Sequence, residues 1–138
     1  GAFLNGADLR GMDLENTNFM GAYLSGCDLS GAVLDAARFV GADLRFAKMQ
    51  GSRCIGARFT GSQLQQTDFR ASNLTEAILD GAESIKGADF SQATGLDKIQ
   101  LANLLTRSHI ELDCWNPLTR QATRTTLESL LGSTTRSA

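Results

Sequence analysis

The side chains that could carry out nucleophilic or metal chemistry are few. The 138 residues contain one histidine, His109, and three cysteines, Cys27, Cys54 and Cys114. A serine or threonine nucleophile needs an adjacent base, and the one histidine lies in the C-terminal part of the chain. The cysteine spacings form neither a disulfide framework nor a CxxC metal knuckle, and His109, Asp113 and Cys114 would be three unlike ligands in one loop. The sequence therefore predicts no catalytic residues, no metal site and no cofactor.

The charge and glycine patterns exclude further classes of function. The chain has 13 basic and 15 acidic side chains and a net charge of −2, which gives no basic footprint for a nucleic acid. The glycines recur every five residues and do not open a helix as a GxGxxG phosphate loop requires. No apolar run approaches the ~18–20 residues that span a bilayer. We expect no direct nucleic-acid binding and no membrane insertion.

The glycine spacing is part of a five-residue period. From residue 4 to residue 79 every fifth residue, here called the centre of its unit, is apolar. The residue two before each centre is small, except Met12, and glycine is common two after it. Cys27 and Cys54 occupy a small and a central position, which predicts buried, inert thiols. The centres are Leu4, Leu9, Leu14, Phe19, Leu24, Leu29, Leu34, Phe39, Leu44, Met49, Cys54, Phe59, Leu64, Phe69, Leu74 and Leu79.

A period of five is typical of neither an amphipathic helix nor an alternating strand. It requires a chain that turns inward regularly, with the centre and the small residue inside. If each unit forms one side of a square coil, twenty residues complete a turn and residues twenty apart stack about 4.8 Å from each other. Phe19, Phe39 and Phe59 then form one column of stacked rings. Residues 1–94 would make about four and a half coils.

The units resemble a known repeat family. Residues 6–10 and 41–45 (GADLR) and 87–91 (GADFS) resemble the A(D/N)LXX units of pentapeptide-repeat proteins. The resemblance implies an all-β solenoid, a right-handed quadrilateral β-helix. The segment Asn116-Pro117-Leu118-Thr119 resembles one that closes many cyanobacterial and chloroplast-lumenal members. That hints at a thylakoid lumen or periplasm, whereas unpaired cysteines suit a cytoplasm equally well.

The regularity changes near the end of the repeat. The centre spacing slips by one residue near 83–85, which predicts a bulge. We expect residues 1–94 to form the β-helix and residues 95–138 a C-terminal α-helical cap. Helical patterns predict one helix over 97–105 and a second that Asn116 caps and Pro117 begins, with an extended or looped segment over 109–115. The helices, or the open N-terminal coil, could also form a homodimer.

Two outward surfaces are candidates for recognition. Phe3 stacks over Tyr23, and Met20 over Val40, which predicts a patch that docks an unidentified protein partner. An acidic column consists of Asp8, Asp28, Asp68 and Asp89 and is interrupted by Lys48, while Arg38, Arg53 and Arg58 make a neighbouring face basic.

These surfaces leave two functions open. The first is a non-enzymatic scaffold or protein-interaction module of unknown biological process. The alternative comes from the resemblance, because the family contains topoisomerase-protecting members with acidic ladders that mimic DNA. It is a DNA-mimicking modulator of a type II topoisomerase (gyrase), with the acidic column as its ladder.

Overall fold

The computed structural model describes residues 1–132, of which residues 1–94 wind into a regular four-sided coil. Parallel bridges join residues twenty apart and recur every five residues, from Phe3–Tyr23 to Arg58–Ile78. Each bridge is made by backbone bonds such as Leu4 N to Tyr23 O at 2.8 Å and Tyr23 N to Ala2 O at 2.8 Å. Four bridges therefore hold each twenty-residue turn to the next, as the five-residue period predicts.

The corners of the coil explain the glycine spacing. At each position two after a centre, from Gly6 to Glu76, the backbone has φ between +57° and +70°. Only glycine adopts this left-handed region without a steric cost. The non-glycine residues at these corners are Asn16, Ala36, Phe46, Gln66, Ala71 and Glu76.

The core is a column of inward side chains along the coil axis. The rings of Phe19, Phe39 and Phe59 stack with centroids 5.1 Å apart and interplanar angles of 9° and 4°, which confirms the predicted column. Phe69 meets Phe59 edge-on at 5.6 Å and stacks on Phe90 at 5.2 Å. Both geometries are favourable for aromatic pairs.

The ladder absorbs one extra residue in its last coil. Glu83 N donates to Ser62 O at 2.8 Å, and Leu64 N donates to Ser84 O at 2.9 Å, so Glu83 and Ser84 together face Gln63. Two residues opposite one is a β-bulge. Beyond it the paired residues are twenty-one apart, as in Asp68–Asp89 and Asn73–Thr94.

Three short helices and a two-stranded sheet follow the coil. They are α1 (Lys98–Leu104), α2 (His109–Leu112), β1 (Trp115–Asn116), β2 (Gln121–Ala122) and α3 (Thr123–Glu128), with β1 and β2 antiparallel. α1 lies within the helix predicted over 97–105. Asp97 caps it, because its carboxylate accepts from Gln100 N at 2.8 Å while the Gln100 side chain accepts from Asp97 N at 2.9 Å.

The prediction of a second helix from Pro117 was wrong. The Asn116 side-chain oxygen accepts from Leu118 N at 2.9 Å and Thr119 N at 3.2 Å, but its amide also donates to Gly87 O at 3.0 Å. Asn116 therefore closes a turn between β1 and β2 instead of starting a helix. Arg120, with φ of +61°, completes the turn, and the helix begins only at Thr123.

The segment expected to be extended or looped contains α2. The Ser108 hydroxyl accepts from Glu111 N at 3.3 Å and caps this single turn. Leu112 is buried among the core residues, so the turn is fixed by packing as well as by its cap.

The segment after residue 94 packs against the last coil. Leu101, Leu104, Leu112 and Leu127 belong to the same buried cluster as the coil centres. Gln100 Nε2 donates to Ala77 O at 3.0 Å. Residues 133–138 of the expected cap lie outside the described residues, and residues 95–132 are here called the tail. Within residues 1–132 no helix has the length and apolar character needed to cross a membrane.

Candidate protein-contact face

The most exposed aromatic contact of the coil is the pair Phe3 and Tyr23. Their rings are parallel within 2°, with centroids 5.1 Å apart. Phe3 is 83% exposed and Tyr23 is 46% exposed. The two side chains leave adjacent coils through the Phe3–Tyr23 bridge, so the backbone ladder fixes their stacking.

Met20 and Val40 lie on the adjoining side of the coil. Met20 is 54% exposed and Val40 is half-buried. Gly21 N donates to Val40 O at 2.9 Å, so these two residues also belong to adjacent coils. Only Gly21 and Ala22 separate Met20 from Tyr23 in the chain. The structure thus places the two predicted pairs on adjoining sides of the first two coils, and the four residues are here called the corner patch.

Two arginines lie on the same side as Met20 and Val40. Arg38 and Arg58 are bridged on adjacent coils, and Phe39 N donates to Arg58 O at 2.8 Å. Both side chains are exposed and neither has a carboxylate partner in the described residues. Arg53, which the sequence groups with them, instead bonds Asp35 at 2.9 Å.

A sequence signal distinguishes the unpaired arginines. Arg10, Arg45 and Arg70 each follow an aspartate by two residues, and each bonds that aspartate at 2.8 Å. Arg38 and Arg58 stand directly before their centres, in the position that aspartate occupies in those three units. They therefore have no aspartate two residues before them to neutralise their charge.

In the N-terminal half of the acidic column Asp8 is exposed and Asp28 is half-buried, and both are paired. Arg10 donates from Nε and Nη2 to Asp8 at 2.9 and 2.8 Å, and these bonds lower the pKa of Asp8 to about 2. Hydrogen bonding by Ser30 lowers the pKa of Asp28, whose carboxylate also lies 4.0 Å from Arg10.

The C-terminal half of the column is buried. Asp68 is 6% exposed and Asp89 is 0% exposed. Arg70 Nη2 donates to Asp68 Oδ2 at 2.8 Å. Asp89 Oδ1 accepts from Ser91 N at 2.8 Å, while Oδ2 has no hydrogen-bond partner in the described residues. The ladder aligns the four carboxylates, but it does not present four free carboxylates to solvent.

The thiols are unsuited to nucleophilic chemistry where they lie in the core. Burial raises the pKa of Cys27 and of Cys54 to about 12. Cys114 is half-buried, and its Sγ donates to Trp115 O at 3.6 Å. Within residues 1–132 no three or more His, Cys, Asp or Glu side chains are grouped so that they could hold a metal ion.

A small cleft lies between the coil and α1. Its volume is ≈ 150 Å³, and its lining includes Glu76, Leu79 and Leu104. Clefts that enclose a drug-sized ligand have volumes of about 300–1,000 Å³. This cleft is therefore too small to be a candidate substrate pocket.

Comparisons with known proteins give consistent matches over the coil. A family model of pentapeptide repeats matches residues 1–35, 17–53, 37–75 and 52–94, as eight copies. A pentapeptide repeat protein from the thylakoid lumen of Arabidopsis thaliana is 30% identical in sequence, and the match covers 93% of this chain and 88% of that one with a TM-score of 0.58. No match was found among curated proteins.

Two solved pentapeptide repeat proteins from the cyanobacterium Nostoc PCC 7120 are also 30% identical. HetL, involved in heterocyst differentiation regulation, is matched over 66% of this chain and 46% of its own, with a TM-score of 0.35. The second is matched over 71% of this chain and 79% of its own, with a TM-score of 0.35.

Proposed function

The chain belongs to the pentapeptide repeat family of right-handed quadrilateral β-helices, and on that premise we propose that it is a non-enzymatic scaffold that docks a protein partner at the corner patch. The observation that carries the proposal is the stacked, exposed pair Phe3 and Tyr23 beside Met20 and Val40. Aromatic residues dominate the binding energy of protein interfaces.

The rigidity of the coil supports this function. Backbone hydrogen bonds at or next to the patch residues hold the adjacent coils together, such as Tyr23 N to Ala2 O and Gly21 N to Val40 O. A surface that is already ordered loses little conformational entropy on binding. The absence of catalysis is part of the proposal, and it is supported by the buried thiols of Cys27 and Cys54, whose raised pKa values keep them protonated.

The proposal assigns different roles to the two segments of the chain. Residues 1–94 are the docking β-helix, and residues 95–138 are the cap, of which the described residues 95–132 cover the backbone edge and the core of the last coil. The bonds from Arg107, Glu111 and Thr126 to the last coil support the cap. The similarity over 93% of the chain to a thylakoid-lumen protein supports a cyanobacterial or lumenal setting.

A pull-down from an extract of the source organism tests the docking function. Wild-type protein should retain a specific partner, and Tyr23→Glu should lose it, because the substitution places a charge in the centre of the corner patch. Leu118→Glu is the control, since Leu118 is also a large exposed side chain, at 75% exposure, but lies outside the coil, between β1 and β2. Capture of no partner, or a partner retained by Tyr23→Glu, would overturn the proposal.

The described surface does not favour the alternative of a DNA-mimicking modulator of a type II topoisomerase. Such a protein needs a row of exposed carboxylates, whereas Asp68 and Asp89 are buried and Asp8 is neutralised by Arg10. A gyrase supercoiling assay at micromolar protein measures this alternative directly. Inhibition that Asp28→Asn abolishes would restore it in place of the scaffold.

Homodimerisation is a separate arrangement that the scaffold could adopt. Ile99 and Ile110 are 73% and 65% exposed on the tail, and these are the apolar side chains that a tail-mediated dimer would bury. Sedimentation of the wild-type protein and of Ile99→Glu distinguishes a tail-mediated dimer from one formed through the first coil.

A further inference from the structure

We propose that Arg38 and Arg58 form an anion-binding pair that holds an acidic segment of the protein partner beside Met20 and Val40. This inference rests on the proposed docking function, because the pair and half of the corner patch share one side of the coil. It adds the chemistry of the partner, which is a carboxylate-bearing segment with an apolar residue next to the acid.

Three arginines in residues 1–132 have no carboxylate within 4.0 Å, namely Arg38, Arg58 and Arg120, and of these only Arg38 and Arg58 are bridge partners. Six of the nine arginines in residues 1–132 lie within 4.0 Å of a carboxylate. Arg38 and Arg58 do not, and no side-chain hydrogen bond joins either of them to the described residues. Asp80 lies on the same side of the next coil, but it too forms no ion pair there. The paired arginines are Arg10, Arg45, Arg53, Arg70, Arg107 and Arg124.

The ladder forces these two unpaired charges together. Arg38 and Arg58 are direct bridge partners, so their side chains leave neighbouring strands about 4.8 Å apart. Like charges directly opposite each other destabilise a sheet. A carboxylate placed between the two guanidinium groups would remove this repulsion and accept charge-assisted hydrogen bonds from both. The residues above and below them in the column, Asn18 and Ile78, are uncharged, and the one carboxylate on the same side of the next coil, Asp80, forms no ion pair with either arginine.

The surroundings of the pair define the rest of the ligand. Val40 follows Arg38 by two residues, so both side chains point outward from the same side, and Met20 lies on the preceding coil. A segment whose acid meets the arginines would cover this apolar surface with the neighbouring side chain. A protein segment fits better than a nucleic acid, because it can place one carboxylate at the arginines and an apolar side chain on Met20 and Val40, whereas a phosphate backbone carries a charge at every nucleotide.

An NMR titration of the full chain tests the pair. The probe is an acetylated peptide of four Glu-Leu repeats, added to about 2 mM so that millimolar binding is detected. We expect amide shifts at residues 38–40 and 58–60. The double variant Arg38→Gln/Arg58→Gln should lower the affinity for the peptide at least about tenfold, since it removes both charges. Arg45→Gln is the matched control, because it removes an exposed arginine that Asp43 already neutralises, and it should leave the affinity unchanged.

Three results would overturn the inference. The first is that the double variant binds the peptide as tightly as the wild-type protein does. The second is that a peptide with Gln in place of every Glu binds as tightly as the Glu-Leu peptide. The third is that a ten-nucleotide oligothymidylate binds more tightly than the peptide. The last result would assign the pair to nucleic acid.

The proposal for the arginine pair can fail while the proposed docking function stands, and the reverse is also possible. If the double variant still captures the partner in the pull-down while Tyr23→Glu loses it, the corner patch docks a partner that has no acid at the arginine pair. If the peptide binds as expected but no partner is captured, the pair binds acidic peptides and the scaffold proposal fails.

Discussion

At the scale of single residues, the corners of the coil determine which side chains the sequence tolerates. Gly31 and Ala36 occupy successive corners with φ of +68° and +57°. The left-handed region costs a residue with a Cβ roughly 1–2 kcal/mol. The repeat therefore favours glycine at corners because of the backbone conformation. Alanine at a corner adopts a strained conformation, and the packing of the rest of the coil offsets its cost.

Exchanging the two residue types at these corners should have opposite effects. Gly31→Ala should lower the free energy of unfolding by about 1 kcal/mol, because the new Cβ meets no atom within 4 Å but imposes the left-handed cost. Ala36→Gly should raise the free energy of unfolding by a similar amount. Urea unfolding of both variants measures the two changes, and a neutral Gly31→Ala would contradict the argument.

The thiols provide a second test at this scale. With pKa values near 12, Cys27 and Cys54 are almost entirely protonated at pH 8, and only the thiolate reacts. We expect a thiol reagent to modify only Cys114 in the native protein and all three cysteines in denaturant. Rapid native labelling of two or three thiols would show that the core opens readily, and Cys114→Ser, which should abolish native labelling, is the control.

At the scale of elements, the stacked phenylalanine column is the feature that the sequence predicts best. Its members repeat every twenty residues, and this spacing predicts both the number of residues in a coil and that the rings lie on the same side of successive coils. The same reasoning predicts the bulge, because an extra residue must disturb a fixed period. Regular elements can be predicted in this way when each unit repeats the physical constraints of the previous one.

The tail and the acidic column could not be predicted as well, because distant contacts decide them. Asn116 is a good helix cap by type, but its amide bonds Gly87 O, and this contact holds it in a turn. Asp89 has an outward position in the repeat. It is nevertheless buried, since the tail bonds residues on both sides of it, at Gly87 and at Phe90 N. Neither contact leaves a local pattern in the sequence.

Truncating the middle ring of the phenylalanine column should be costly. Phe39 is fully buried and stacks on both Phe19 and Phe59. Phe39→Ala should lower the free energy of unfolding by about 3–5 kcal/mol, because it leaves a cavity between two rings. Phe39→Leu should cost less, since Leu79 fills the corresponding position of a later coil. Equal losses for the two variants in urea unfolding would contradict this account.

At the scale of the whole molecule, stability is transmitted from coil to coil. In a solenoid each repeat contacts only its neighbours, so stability is close to a sum of adjacent interfaces. The segment after residue 94 contributes the last of these interfaces. Arg107 is central to it, because Nη2 donates to Ala82 O at 2.8 Å and Nε donates to Glu111 at 2.9 Å. The same Glu111 carboxylate accepts from Ile85 N at 2.9 Å.

Removing this arginine should loosen the last coil and leave the earlier coils intact. Arg107→Met should lower the free energy of unfolding by about 1.5–3 kcal/mol, the typical contribution of hydrogen bonds to a charged group. Hydrogen exchange should accelerate at Ile85 N and Phe90 N but not at Leu24 N, because only the last interface is weakened. Arg45→Met, which breaks the ion pair with Asp43, should change none of the three rates. Equal acceleration at all three amides would mean that the coils unfold as a single cooperative unit.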